Sequence, residues 1–138
     1  MTTHPPRFGI GANLSLSRLS FVALAGDVAI IAAFPLLGES NHAWELDSER
    51  FARTFVPFAA AWLVLGSIAT AYVGSTLRRA RRTLIVVPPA WVLSGALAMA
   101  IRVTIFDRAF SLSFAIVAIS LMGVVLLAWR LALARADR

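Results

Sequence analysis

The stretch Thr76-Leu77-Arg78-Arg79-Ala80-Arg81-Arg82-Thr83 decides the fold of this chain, because it places four arginines between two long apolar runs. The runs cover residues 55–73 and 84–101. An arginine-rich turn this short is costly to move across a bilayer, so it stays in the cytoplasm and orients the helices on either side. We therefore predict a membrane protein whose topology is set by Arg78, Arg79, Arg81 and Arg82.

The composition favours the same class of protein. The chain has 138 residues, of which 59% are hydrophobic and 14% are charged, and its mean hydropathy is +0.81. A soluble domain usually carries about 25% charged residues. This shortage of charge is typical of a chain whose outer face meets lipid, and the length fits a single domain.

The basic residues indicate a membrane rather than a nucleic acid as the partner. The net charge is +6, and all 13 basic residues are arginines. They cluster at the ends of apolar runs, where arginine reaches the interface and sets orientation, and no basic face alternates with stacking aromatics. The chain has no cysteine, which excludes disulfides and thiolate ligands. We expect a lipid bilayer as partner, no nucleic acid, no metal and no cofactor.

Four apolar runs predict four transmembrane helices, at about residues 19–37, 54–74, 84–106 and 109–129. They form a domain of residues 18–132, between cytoplasmic tails of residues 1–17 and 133–138. Short connections predict antiparallel neighbours, hence an all-α, up-down four-helix bundle. With both termini in the cytoplasm, nine arginines lie inside and four outside; the opposite orientation reverses these numbers and is rejected.

Asp27 is the acidic residue that falls inside an apolar run. At 1.5 Å per residue it lies about 12 Å from the start of the first predicted span. Its side chain should therefore face protein or water rather than lipid. Two interpretations stay open: Asp27 is a candidate proton or cation site, or it forms a hydrogen bond between helices that orients the first span.

Two arginines end the second and third predicted spans on the outer side. They are Arg53 and Arg102, with Thr54 and Thr104 beside them. Guanidinium groups and hydroxyls in this arrangement are a candidate outer anion site. The alternative is that both arginines reach lipid headgroups or pair with the carboxylates Glu45 and Asp47 of the first loop.

Small residues recur every four positions in the second predicted span, at Gly66, Thr70 and Gly74. Such a stripe lets another helix approach closely, so we consider it a candidate helix-packing face. The alternative is a chance pattern in an alanine-rich span.

A set of short motifs resembles a known family. They are Gly26-Asp27, Arg53-Thr54-x-x-Pro57-Phe58-x-x-x-Trp62, Arg102 and Trp129-Arg130. In this order and spacing they resemble domain of unknown function 3054, a family of small prokaryotic membrane proteins, over roughly residues 17–132. The resemblance implies a multi-pass protein of the prokaryotic plasma membrane and brings no known activity. From the sequence we expect Trp129-Arg130 to be an anchor at the membrane interface.

Two functions remain open at this point. No catalytic constellation or phosphate-binding loop is present in the sequence, so we predict that the protein is not an enzyme. The first hypothesis is a small transporter or ion-permeation protein that uses Asp27. The alternative is a structural or accessory subunit of a larger membrane complex, whose partner is a second copy or another membrane protein.

Overall fold

The computed structural model of the chain describes residues 10–39 and 48–136, with the side chains of the first range described over Arg18–Leu37. Five helices make up this part of the chain. They are α1 (Ile10–Glu39), α2 (Ser48–Ile68), α3 (Gly74–Leu77), α4 (Ala80–Thr104) and α5 (Leu112–Ala136).

The four long helices are long and apolar enough to cross a membrane. The prediction of an all-α chain with four apolar spans is therefore confirmed. The helix bounds differ from the predicted spans, most of all in α2, which begins at Ser48 and ends at Ile68. Its charged first turns continue the helix, because Glu49 and Arg53 form an ion pair one turn apart. Residues 1–9, the loop carboxylates Glu45 and Asp47, and residues 137–138 lie outside the described residues.

Helix α2 ends in a tight cap. The amide of Thr70 donates to the carbonyl of Ser67 (3.1 Å), and the amide of Ala71 donates to that of Gly66 (2.8 Å). This is the hydrogen-bond pattern of a Schellman cap, which needs a left-handed residue at the position of Thr70. The φ angle of Thr70 is indeed 61°. The chain therefore leaves the helix at a position where a β-branched residue is strained.

We expect Thr70→Gly to stabilise the protein by about 1 kcal/mol, because glycine adopts this conformation without a clash of its Cβ atom. Thermal unfolding in detergent measures the change. Ser67→Gly is the matched control, since Ser67 is also exposed but lies inside α2, where glycine lowers stability. A shift of both variants in the same direction would contradict the role given to Thr70.

The long helices pack in a closed arrangement. Helix α2 packs against α4, α4 against α5, α5 against α1, and α1 against α2, while α3 contacts α1, α4 and α5. Aromatic rings from all four long helices meet at the centre. The rings of Trp62 and Trp91 lie edge to face at 5.6 Å, and those of Phe34 and Phe114 at 6.0 Å. Such pairs add to the free energy of burial and give the centre a fixed geometry.

Glycines mark the places where helices come closest. A Cβ atom on Gly95 of α4 would lie 2.6 Å from Ile119, and one on Gly123 of α5 would lie 2.8 Å from Trp91. On α1, a Cβ atom on Gly26 would overlap the indole ring of Trp129. These positions use the absence of a side chain to bring α5 against both α1 and α4.

The outer surface of the bundle is apolar. Large hydrophobic side chains face outward on every long helix, for example Leu37 (70% exposed), Ile68 (72%), Ile85 (62%) and Val124 (67%). An apolar exterior of this extent is typical of a protein whose solvent is hydrocarbon rather than water.

Candidate functional site: the Asp27 network

A charged pair lies inside the bundle, between α1 and α5. The carboxylate of Asp27 is fully buried and the side chain of Arg130 is almost so, at 2% exposed. Nε of Arg130 donates to Oδ1 of Asp27 at 3.0 Å, and Nη2 donates to Oδ2. This two-point arrangement is the strongest form of contact between a guanidinium and a carboxylate.

Two aromatic donors complete the coordination of Asp27. Nε1 of Trp62 donates to Oδ2 at 2.8 Å, and the hydroxyl of Tyr72 donates to the same oxygen at 2.9 Å. The guanidinium of Arg130 also stacks over the ring of Tyr72, with its Cζ atom 4.6 Å from the centroid. The carboxylate thus accepts four hydrogen bonds from three elements of the fold.

The cap at the end of α2 supplies a further hydrogen-bond acceptor for Arg130. Nη1 of Arg130 donates to the carbonyl of Ala71 at 2.8 Å, one residue after the left-handed Thr70. The Ser20 hydroxyl donates to the carbonyl of Tyr72 at 3.0 Å, which ties this turn to α1. The strained turn therefore presents both a carbonyl and a phenol to the buried pair.

The contact between Gly26 and Trp129 sets the separation of the charged pair. These residues precede Asp27 and Arg130 in their helices, and their close packing draws α1 and α5 together at this level. On both helices the charged residue continues a buried stripe, with Ala23 and Ile31 beside Asp27 and Leu126 beside Arg130. The ion pair is therefore part of the helix interface.

The electrostatics favour an Asp27–Arg130 pair that stays charged and in contact. A buried charge is costly unless it is paired and hydrogen-bonded, and here each partner supplies what the other requires. Burial, followed by the Asp27 carboxylate, raises the pKa of Tyr72 well above its usual value. The phenol therefore remains a hydrogen-bond donor at neutral pH.

One open groove borders this network. It is about 380 Å³ in volume and is lined by Ser20, Phe21, Leu24, Ser67 and Tyr72. Tyr72 is the network residue among its lining residues, while Asp27 and Arg130 lie behind it and are buried. A solute in the groove therefore meets two serines, Tyr72 and two apolar side chains, and not the carboxylate.

The predicted outer arginines have different environments. Arg53 forms an ion pair with Glu49 of its own helix. The guanidinium of Arg102 lies over the ring of Phe114, with its Cζ atom 4.0 Å from the centroid. The hydroxyl of Thr104 donates to the carbonyl of Ala100 in its own helix (2.9 Å), and Thr54 is half-buried in α2. Within the described residues, the two guanidinium groups therefore have separate partners, Glu49 and Phe114.

The predicted small-residue stripe does not lie on one helix. Gly66 is in α2, Thr70 is in the cap, and Gly74 begins α3. A Cβ atom on Gly66 would meet Trp62 of the same helix at 3.4 Å. The topology-setting arginines (Arg78, Arg79, Arg81 and Arg82) are exposed around the start of α4, where Nη1 of Arg82 donates to the hydroxyl of Ser75.

Sequence reasoning singled out Asp27 but missed its partners. Arg130 follows Trp129 near the chain end and resembles an interface anchor, yet its side chain points inward. The signal was the spacing along α5, since Arg130 continues the buried series Ala118, Met122 and Leu126 at helical intervals. For Tyr72 the sequence carried no such signal, because its position depends on the cap at Thr70.

Three of the motifs that carry the family resemblance meet in this site, through Gly26-Asp27, Trp62 and Trp129-Arg130. Gly26 contacts Trp129, while Asp27 contacts Trp62 and Arg130. A family model described as "Protein of unknown function (DUF3054)" matches residues 24–133. Comparison with curated proteins and with solved structures gives no match. The match covers the whole Asp27 network and confirms the resemblance: the chain belongs to the DUF3054 family of proteins of unknown function.

Proposed function

We propose that the protein is a non-enzymatic accessory subunit of the prokaryotic plasma membrane, built on a four-span scaffold that the Asp27–Arg130 pair holds together. The family and the four apolar helices indicate a multi-pass membrane protein. The observation that carries the proposed role is the saturation of Asp27. Its four hydrogen bonds all come from this chain, so the carboxylate serves the packing of the bundle.

The contacts support an up-down topology. From the middle of α4 to its end, Trp91, Gly95 and Arg102 meet residues of α5 that come progressively earlier in the chain, namely Gly123, Ile119 and Phe114. Between α1 and α5, Phe34 meets Phe114 while Asp27 meets Arg130. Both pairs of helices therefore run antiparallel. With the arginine-rich turn in the cytoplasm, both termini are also cytoplasmic.

The natural absence of cysteine gives a direct test of orientation. A single cysteine in place of the exposed Arg79 should react with a membrane-impermeant maleimide only after the cells are opened. Reaction in intact cells would contradict the proposed orientation.

Ion permeation is the competing hypothesis, and the geometry supports it less well. A proton or cation site must exchange its ligand, whereas the Asp27 carboxylate is buried and paired with a guanidinium. The groove beside Tyr72 has neither Asp27 nor Arg130 among its lining residues. A bundle with a packed aromatic centre also leaves no continuous path through one copy of the described chain.

We expect liposomes that contain the purified protein to pass protons no faster than protein-free liposomes. A pH-sensitive dye inside the liposomes, with a potassium gradient and valinomycin, measures this flux. Tyr72→Phe is the control variant, because it removes the hydroxyl that donates to Asp27 and keeps the ring beside the groove. Flux above the protein-free level that falls in Tyr72→Phe would support permeation and contradict the accessory role.

The accessory role itself is tested by identifying which proteins remain bound to the chain after purification. After solubilisation in a mild detergent, native mass spectrometry should find the chain in a complex of fixed stoichiometry, with a second copy or with another membrane protein. Stepwise replacement of exposed α4 and α5 residues, such as Val92 and Val124, by tryptophan should weaken that complex. A monomer at all detergent concentrations would contradict the proposal.

A further inference from the structure

Arg102 has a guanidinium that is not fully hydrogen-bonded among the described residues. It lies near the end of α4 and is half-buried, and its guanidinium stacks on the ring of Phe114. Its Nη1 atom is buried and has no hydrogen-bond partner in the part of the chain that the structure describes. A stacked ring attracts the charge of a guanidinium but leaves its in-plane N–H donors unused.

The contrast with Arg130 makes this environment informative. Both arginines are inside apolar helices, and both lie over aromatic rings. Arg130 has a carboxylate and a carbonyl as acceptors, whereas no acceptor of the described chain reaches Nη1 of Arg102. Nη1 of Arg102 is thus an unused donor in a partly apolar environment, where an acceptor would lower its free energy.

Further positive charge lies at the same end of the bundle. The amide of Arg108 donates to the carbonyl of Arg102 at 3.1 Å, so the two arginines are adjacent in space. The hydroxyl of Ser94 approaches the carbonyl of Ala61 at 3.4 Å, which fixes the register of α4 against α2. Arg102 follows Ser94 by eight residues on α4, and Arg53 precedes Ala61 by eight residues on α2. At 1.5 Å per residue, each arginine is about 12 Å from this contact along its helix axis. In the antiparallel arrangement proposed above, these two arginines lie at the same level.

We propose that this outer end of the bundle binds a phosphate group, with Arg102 as the principal ligand, Arg108 as neighbouring charge, and Arg53, which is paired with Glu49, at the same level. The fork of N–H donors on arginine matches phosphate oxygens in pairs. The end of a transmembrane helix lies at the depth of lipid phosphates. A phospholipid headgroup and a free phosphate ion share this chemistry. The inference rests on the topology given under the proposed function in one respect: that topology is what places Arg53 and Arg102 at the same level of the bundle.

The test uses the full-length protein, with lipid and free phosphate as separate arms. In the first arm, the protein is purified from nanodiscs of phosphatidylcholine and phosphatidylglycerol, and native mass spectrometry counts the phospholipids that remain bound. In the second arm, detergent-purified protein is titrated with inorganic phosphate and followed by thermal unfolding. The variants are Arg102→Gln and Arg102→Lys, and Arg135→Gln is the control because Arg135 is an exposed arginine near the other end of α5.

We expect the wild type and Arg135→Gln to retain phospholipid. Arg102→Gln should retain at least tenfold less phospholipid than the wild type. Arg102→Lys should be intermediate, because lysine keeps the charge but not the paired donors. Stabilisation by inorganic phosphate that disappears in Arg102→Gln would assign the site to a free anion. Equal lipid retention in all variants, with no effect of phosphate, would overturn the proposal. If Arg102→Gln fails to fold, the test is made with Arg102→Lys. Lipid retention and a phosphate response in Arg102→Lys that equal those of the wild type would also overturn the proposal.

Discussion

Arg130→Met is expected to destabilise the protein by about 3–5 kcal/mol, the largest effect of any single substitution considered. The reason is that methionine fills a similar volume but leaves the buried carboxylate of Asp27 without its cation. The Ala71 carbonyl loses its donor in the same step. Unfolding by SDS titration of detergent-solubilised protein, followed by circular dichroism, measures the change.

The double variant Asp27→Leu/Arg130→Met is the informative companion. It removes both charges at once, so the cost of an unpaired buried ion disappears. We expect it to recover most of the stability lost in Arg130→Met. Arg135→Met is the control, because Arg135 is exposed on the same helix, and its effect should stay within about 0.5 kcal/mol. If the double variant lost as much stability as the two single substitutions added together, the idea that the two charges compensate each other would be contradicted.

Gly26→Ala is expected to destabilise the protein by about 1–3 kcal/mol, although alanine is normally favoured over glycine in a helix. The added methyl group overlaps the indole of Trp129, and it can be accommodated only if α1 moves away from α5. That movement also stretches the hydrogen bonds between Asp27 and Arg130. Thermal unfolding in detergent measures the loss.

Two variants separate this steric effect from helix propensity. Gly66→Ala adds the same methyl group inside α2, where the nearest side-chain atoms lie at an ordinary 3.4 Å, so it should be neutral or slightly stabilising. Trp129→Phe removes the outer ring atoms that a Cβ atom on Gly26 would meet. In the Gly26→Ala background it should recover stability. Equal effects of Gly26→Ala and Gly66→Ala would show that the contact with Trp129 is unimportant.

The number of apolar spans follows from the sequence because it depends on hydropathy over about twenty residues, which is a local property. Asp27 was identifiable for the same reason, as a charge within such a run. Its two open interpretations could not be separated locally, because the answer lies in residues 35, 45 and 103 positions away. Hydropathy says that a buried acid needs a partner, but not which residue it is.

The end of α2 was harder to predict. Composition continues the apolar run to residue 73, yet the helix ends at Ile68 because Thr70 adopts a left-handed conformation. Glycine would have been the usual signal for such a cap. Without it, Gly66, Thr70 and Gly74 resembled one helical face, whereas the closest approaches between helices are at Gly26, Gly95 and Gly123.

A pair of double-mutant cycles tests the central claim most directly. The first combines Asp27→Asn with Arg130→Gln, and the second combines Asp27→Asn with Arg102→Gln, with free energies of unfolding measured by SDS titration. We predict a coupling of about 2 kcal/mol or more in the first cycle and about zero in the second, because Asp27 contacts Arg130, whereas Arg102 lies over Phe114. No coupling between Asp27 and Arg130, or the larger coupling with Arg102, would contradict the account.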